Sequence, residues 1–194
     1  MSATLTVVTF RIRGLTPTIM DNGQMANPLN EFTKAAKAIY DTKQRGKPLP
    51  DEKMAELLRI GFLGGLYLDD DEHPCWPGEN IEAMLVSAAK KLRQGPTAKV
   101  AVMSDGNWPL EYDGPKDPEK LWGNEDFRLV QMAIRGGKPV LTCRPIFRKW
   151  EMQFDVAFDA DRVNESTVRE WVTIAGHTIG LSDWRPKYGR FEII

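Results

Sequence analysis

The chain has 194 residues, 42% hydrophobic and 27% charged, with a formal net charge of −1. That composition and its six tryptophans exclude intrinsic disorder, and the near-neutral charge excludes a protein whose whole surface attracts nucleic acid. No apolar run approaches the roughly 20 residues needed to cross a bilayer, and two cysteines, Cys75 and Cys143, are too few and too far apart for a disulfide framework or a cysteine-built zinc site. A single domain over residues 1–194 is expected, with both thiols reduced and buried. The first residues lack a signal peptide's charged start and apolar centre, so a cytoplasmic location is expected.

Residues Thr4 to Arg13 alternate, Val8, Phe10 and Ile12 against Thr9, Arg11 and Arg13. This is the pattern of a half-buried strand with two arginines on its polar side. Apolar residues then recur at helical spacing at Leu29, Phe32, Ala36 and Ile39, and again at Met54, Leu57, Leu58 and Phe62. Residues 24–63 thus read as a helical insertion, its lysines and arginines solvating it. Gly64 to Pro77 reads as a hairpin turning through Asp69-Asp70-Asp71-Glu72. Those four acids beside His73 raise the question of a metal site, but adjacent strand residues face opposite ways and no second ligand cluster is evident, so no metal is expected.

Pro77-Gly78-Glu79-Asn80 opens a helix with apolar residues at Ile81, Met84, Leu85, Ala88 and Leu92. Gly95 to Asp126 is rich in turns, with a strand expected at Lys99 to Met103 and a short helix near Pro118 to Trp122. Charge then changes abruptly. Ser104 to Asp126 holds seven carboxylates against two lysines, whereas Phe127 to Lys149 holds six cations (Arg128, Arg135, Lys138, Arg144, Arg148, Lys149) and no carboxylate. Residues 127–144, folded about Gly136-Gly137, read as a basic hairpin. From Ile146 to Phe158 alternation predicts one long strand with Trp150, Met152, Phe154, Val156 and Phe158 facing inward.

The last helix begins at Asn164, a side chain suited to capping free N–H groups, with Glu165 favourably placed at the positive end of the helix. Val168, Trp171, Val172, Ala175 and Ile179 form its apolar stripe. Gly180 ends it, and the chain runs Leu181-Ser182-Asp183-Trp184-Arg185-Pro186-Lys187-Tyr188-Gly189-Arg190-Phe191. Glycines at both ends allow sharp turns and close approach to a ligand. Such a loop suits a phosphate backbone; it equally suits a plain helix-to-strand connector with solvated cations, and the residues alone leave both readings open.

Reduced to its core, the order is β-α-β-β-α-β, an α+β fold with two helices on one face of an antiparallel sheet, a helical insertion and a basic hairpin. Three stretches resemble the RAMP superfamily, and within it the RNA-binding backbone subunits of CRISPR effector complexes. They are the first strand running into Gly14-Leu15-Thr16-Pro17, Trp76-Pro77-Gly78-Glu79-Asn80-Ile81, and Gly180 through Phe191. The ending, Asp183-Trp184-Arg185-Pro186 through Tyr188-Gly189-Arg190-Phe191, is also similar to a group of uncharacterised phage and prophage proteins. Ser182 and Asp183 stand where the family is richer in glycine. The resemblance implies a modified ferredoxin-like (RRM-like) core with a protruding basic hairpin, single-stranded DNA or RNA as partner, head-to-tail homo-oligomers along the strand, and a phage or host nucleoprotein complex in a bacterial cell; no cofactor is expected.

The candidate nucleic-acid-binding residues are Arg11, Arg13, Arg128, Arg135, Lys138, Arg144, Arg148, Trp184, Arg185, Lys187, Tyr188 and Arg190. The cations suit phosphates, and the aromatic rings of Trp184 and Tyr188 suit base stacking. Two other classes remain. One is a protein-interaction module acting on a host defence complex through the acidic segment. The other is a metal-independent RNA endonuclease using His177, which on a helical wheel lies opposite the apolar stripe with no paired acid or base.

Overall fold

A computed structural model describes residues 5–194 apart from the side chain of Arg135; Thr4, the expected start of the first strand, lies outside the described residues. In chain order the elements are β1 (Leu5–Gly14), β2 (Thr18–Ile19), α1 (Glu31–Asp41), α2 (Asp51–Gly65), β3 (Cys75–Pro77), α3 (Gly78–Ala89), α4 (Gly95–Ala101), β4 (Val102–Met103), β5 (Asn107–Glu111), α5 (Pro118–Gly123), β6 (Arg128–Arg135), β7 (Lys138–Phe147), β8 (Glu151–Asp159), α6 (Glu165–Ile174) and β9 (Phe191–Ile193). This is an α+β chain with antiparallel sheets. It forms two compact units, residues 1–19, 68–114 and 147–194 in the first and residues 20–67 and 115–146 in the second.

The first unit is built on β1 and β8, antiparallel over nine residue pairs from Leu5↔Asp159 to Arg13↔Glu151. β9 pairs with the other side of β1, while β4 and β5 both pair with β8, so the strand order is β9-β1-β8-β4/β5 with β3 beyond β5. The predicted alternation decides which face is covered. Val8, Phe10, Ile12, Met152, Phe154, Val156 and Phe158 are buried, each such side chain contributing roughly 1.5–3 kcal/mol. The rings of Phe10 and Phe154 lie 5.6 Å apart. α6 crosses this face, with the Arg169 guanidinium over Phe10. It packs on α3, the two helices burying Val168, Trp171 and Val172 together with Ile81, Met84, Leu85 and Ala88. Asn164 caps α6, its side chain accepting from Thr167 N at 2.8 Å. On the opposite face Val7, Thr9, Arg11, Arg13 and Gln153 are exposed.

Three local expectations are corrected. Gly64 to Pro77 is not a full hairpin: α2 runs on to Gly65, and an isolated bridge between Leu68 and Pro74 closes the acidic turn. There the Asp69 carboxylate accepts from Asp71 N and His73 N, so local side-chain capping replaces a strand ladder. The strand expected at Lys99 to Met103 is mostly helix α4, because Pro96 opens a turn that buries Ala98 and Ala101 and leaves β-branched Val100 exposed. The long strand breaks at residues 148–150, where Trp150 turns aside to donate from Nε1 to Thr16 O at 2.9 Å.

In the second unit α1 and α2 pack together, each amphipathic, and Asn30 caps α1. β6 and β7 form the hairpin from Arg128↔Pro145 to Arg135↔Lys138, with Gly136 and Gly137 both at positive φ in its turn. Both thiols are free and buried. Burial pushes Cys75 up to about 12 and Cys143 to about 11. Among the described residues no helix is long and apolar enough to cross a membrane.

Candidate nucleic-acid interface

At one end of the first unit's sheet, β1 finishes, β8 begins and β9 begins. Hydrogen bonds tie the connecting segments there into one body. Gly14 N donates to Trp150 O at 2.9 Å, and Leu15 N donates to Arg190 O at 2.7 Å. Asp183 N donates to Ile19 O at 3.0 Å and Gly189 N to Pro17 O at 2.8 Å. Buried Thr18 donates its hydroxyl to Leu181 O at 2.6 Å, and the Ser182 hydroxyl both accepts from Ile19 N and donates to Ile19 O. The loop is therefore a fixed structure.

Its two glycines explain how it closes. Leu181 N donates to Gly189 O at 2.8 Å, and a Cβ on Gly189 would stand 2.3 Å from Leu181 O. Gly180 and Gly189 also have φ of 85° and 78°, a region that L side chains rarely adopt. Between them Trp184 and Tyr188 sit with ring centroids 6.4 Å apart, and Lys187 Nζ lies 5.3 Å from the Tyr188 ring. Trp184, Arg185, Lys187 and Arg190 are exposed. Among the described residues Arg185, Lys187 and Arg190 make no ion pair; Arg190 Nε donates to Pro186 O instead. Arg148 and Lys149, exposed in the turn before β8, stand at the same end. The loop carries three cations without an ion pair beside two aromatic rings on a rigid backbone, and Arg148 and Lys149 add two more at the same end of the sheet.

The open sheet face differs. Arg11 and Arg13 are on it, as alternation predicted, but Arg11 Nη2 meets Glu111 at 2.7 Å and Glu151 at 3.0 Å, and Arg13 Nε meets Glu151 at 2.8 Å. Hydrogen bonds that the Glu151 carboxylate accepts from Arg13 and Arg11, together with their charge, hold its pKa below the ordinary carboxylate value. Their positive charge is already spent on carboxylates. At the other end of this face Leu5, Val7 and Met103 are exposed.

In the second unit Arg144 is 7% exposed and paired with Asp21 at 3.0 Å, so it is a buried structural cation and leaves the set of phosphate-contact candidates. Arg128 pairs with Glu125 at 2.9 Å and lies over the Trp122 ring at 4.8 Å. Lys138 is exposed, and the side chain of Arg135 lies outside the described residues. The hairpin's outward stripe on β6 is apolar: Val130, Met132 and Ile134. His177 is exposed just before Gly180. Among the described residues no group of His, Cys, Asp and Glu is arranged to hold a metal ion.

Sequence reasoning missed Lys149 as a member of the basic end, and it missed the pairing of Arg11 and Arg13. Part of this was within reach: Lys149 adjoins Arg148, and laying the two central strands antiparallel sets Arg13 opposite Glu151, whereas Arg11 falls opposite neutral Gln153 and finds its carboxylates off register at Glu111 and Glu151. No protein-family model matches the sequence, and no curated protein matches it significantly. A solved structure does. The crystal structure of Cmr6 from Pyrococcus furiosus is similar over 100% of both chains, at 9% sequence identity and a TM-score of 0.41. No fold assignment and no residue role is carried from this likeness.

Proposed function

We propose that the protein binds single-stranded nucleic acid without catalysing a reaction, through the glycine-bounded loop and the turn that shares its end of the sheet. The observation that carries this reading is the loop's exposed cations Arg185, Lys187 and Arg190 beside Trp184 and Tyr188, without an ion pair among the described residues, together with exposed Arg148 and Lys149 at the same end of the sheet. Cations at such a site displace counterions from the phosphates, and base stacking on an aromatic ring adds roughly 1–3 kcal/mol per base. The strand order β9-β1-β8-β4/β5, with α3 and α6 on one face, supports a ferredoxin-like core. In this reading the protein is of phage or prophage origin, and copies assemble head-to-tail along the strand.

Fluorescence anisotropy with labelled single-stranded DNA, single-stranded RNA and duplex, titrated across salt and paired with sizing of each mixture, tests it. Strand-selective binding that weakens with salt and grows in mass with strand length is the expected result. No binding to any strand at low salt rejects the reading.

The apolar stripe Val130, Met132 and Ile134 favours a second role for the hairpin, contact between neighbouring copies rather than phosphate binding. Met132→Lys then lowers the mass of assemblies on a long strand and leaves binding to a strand that holds one copy unchanged.

A further inference from the structure

Beside the basic end, the first unit has a cleft of about 390 Å³ lined by Arg13, Gly14, Glu111, Tyr112, Asp113, Lys149, Trp150 and Glu151. We propose that this cleft is a nucleobase pocket selective for guanine, so that the strand-binding surface also reads sequence. The inference rests on the reading of the basic end as a strand-binding surface and deepens it.

Size and position come first. The volume lies in the range of small-ligand sites and is ample for one base with its sugar. One wall is shared with the proposed strand site. Gly14 lines the cleft and the next residue, Leu15, is hydrogen-bonded to Arg190 O of the loop; Lys149 lines the cleft and belongs to the basic turn. A strand held by the loop therefore passes the cleft's mouth. The lining is mainly rigid. Trp150 is 2% exposed and anchored through Thr16 O, and the Tyr112 ring is fixed 4.7 Å from Phe147. Buried Trp150 thus forms a fixed floor, and the half-buried Tyr112 ring is the aromatic wall that accepts the face of a base.

The charges decide which base. Arg13 and Glu151 are committed to each other, and Glu111 is held by Arg11. Among the described residues Asp113 and Lys149 are engaged in no ion pair, which leaves one free carboxylate and one free ammonium on the same cleft. Guanine presents a complementary edge, with N1–H and the N2 amine as adjacent donors for a carboxylate and O6 as an acceptor for an ammonium. Uracil offers one donor between two acceptors, so a carboxylate there meets a carbonyl oxygen and is repelled. Carboxylates discriminate bases by their amino groups in this way, and a well-matched contact gives roughly tenfold or greater preference. Asp113 is the specificity-determining residue, with Lys149 serving O6 and the adjoining phosphate.

The test uses the whole chain and two probe formats: guanosine and uridine 5′-monophosphates by calorimetry, and a short uridine strand with or without one central guanosine by anisotropy. Guanosine is expected to be held about tenfold more tightly than uridine in at least one format, Asp113→Asn to abolish that preference while uridine-strand affinity stays as it was, and Asp113→Glu to retain part of it. Circular dichroism confirms that each variant is folded. Equal affinity for the two bases in both formats overturns the pocket, as does Asp113→Asn weakening both bases alike. Uridine strands bound without preference reject the pocket and keep the strand-binding reading. Asp113-dependent guanosine 5′-monophosphate binding with no strand bound keeps the pocket and rejects that reading.

Discussion

The loop closed by Gly180 and Gly189 and the hairpin of β6 and β7 carry similar runs of cations, yet the structure uses those charges in opposite ways. In the hairpin, Arg144 is buried against Asp21 and Arg128 is engaged by Glu125 and Trp122, while the surface that points outward is the apolar stripe of Val130, Met132 and Ile134. In the loop, Arg185, Lys187 and Arg190 are exposed and, among the described residues, unpaired. A cation is available to a phosphate only when no carboxylate already holds it. Counting basic residues along a sequence cannot separate the two cases.

The largest expected effect comes from the backbone that holds the loop cations in place. Gly189→Ala puts a Cβ 2.3 Å from Leu181 O at a φ of 78°. Backbone has to shift, and the cost is about 2–4 kcal/mol of stability. Gly136→Ala, in the hairpin turn, meets open space at a φ of 56° and costs about 1–2 kcal/mol from conformation alone. Denaturant unfolding of the two variants side by side gives the difference; equal losses mean that the loop closure is not tight.

Next come the cations themselves, where stability and binding should separate. Arg144→Ala leaves Asp21 without its partner in a partly buried site and costs about 2 kcal/mol of stability, with strand affinity unchanged below the unfolding temperature. Arg185→Ala with Lys187→Ala behaves in reverse. Stability moves by no more than about 0.5 kcal/mol, while single-strand affinity falls about tenfold and the log–log salt slope drops by roughly 1.4, two phosphate contacts at about 0.7 each. An Arg144 variant that weakens binding with its fold intact breaks the comparison.

Much of the first unit was legible in the sequence because its strands have one buried face and its helices one apolar stripe. Those periods survive in Val8, Phe10 and Ile12, in Met152 through Phe158, and in Val168, Trp171 and Val172. The two glycines and the aromatic and basic residues between them were legible for the same local reason. What was not legible depends on residues distant in the chain. Gly78 reads as a helix opener, but its necessity comes from Ser104, whose carbonyl oxygen would stand 1.7 Å from an added Cβ. The pairing of Arg11 with Glu111 crosses 100 positions, and the bond that pulls Trp150 out of its expected strand goes to Thr16 O. Periodicity carries no information on such partners.

The smallest effect asks whether pairing is what silences a cation. Glu111→Gln with Glu151→Gln removes both carboxylates from Arg11 and Arg13 without removing either arginine. If availability follows pairing, the open sheet face gains two cations next to the basic end, single-strand affinity rises several-fold, and the salt slope steepens by about 1.4. Acidification should not imitate the variant. Arg13 and Arg11 lower the Glu151 pKa below the ordinary carboxylate value, so its carboxylate stays charged, and both arginines keep it as a partner, as pH falls from 7 to 5. Anisotropy between pH 7 and pH 5 is therefore expected to show no gain from this group in the native protein, and the variant's gain should be present at both pH values. A double variant that binds no better would show that the open face stays silent for a reason other than charge, and the contrast between paired and unpaired cations would then explain the hairpin alone.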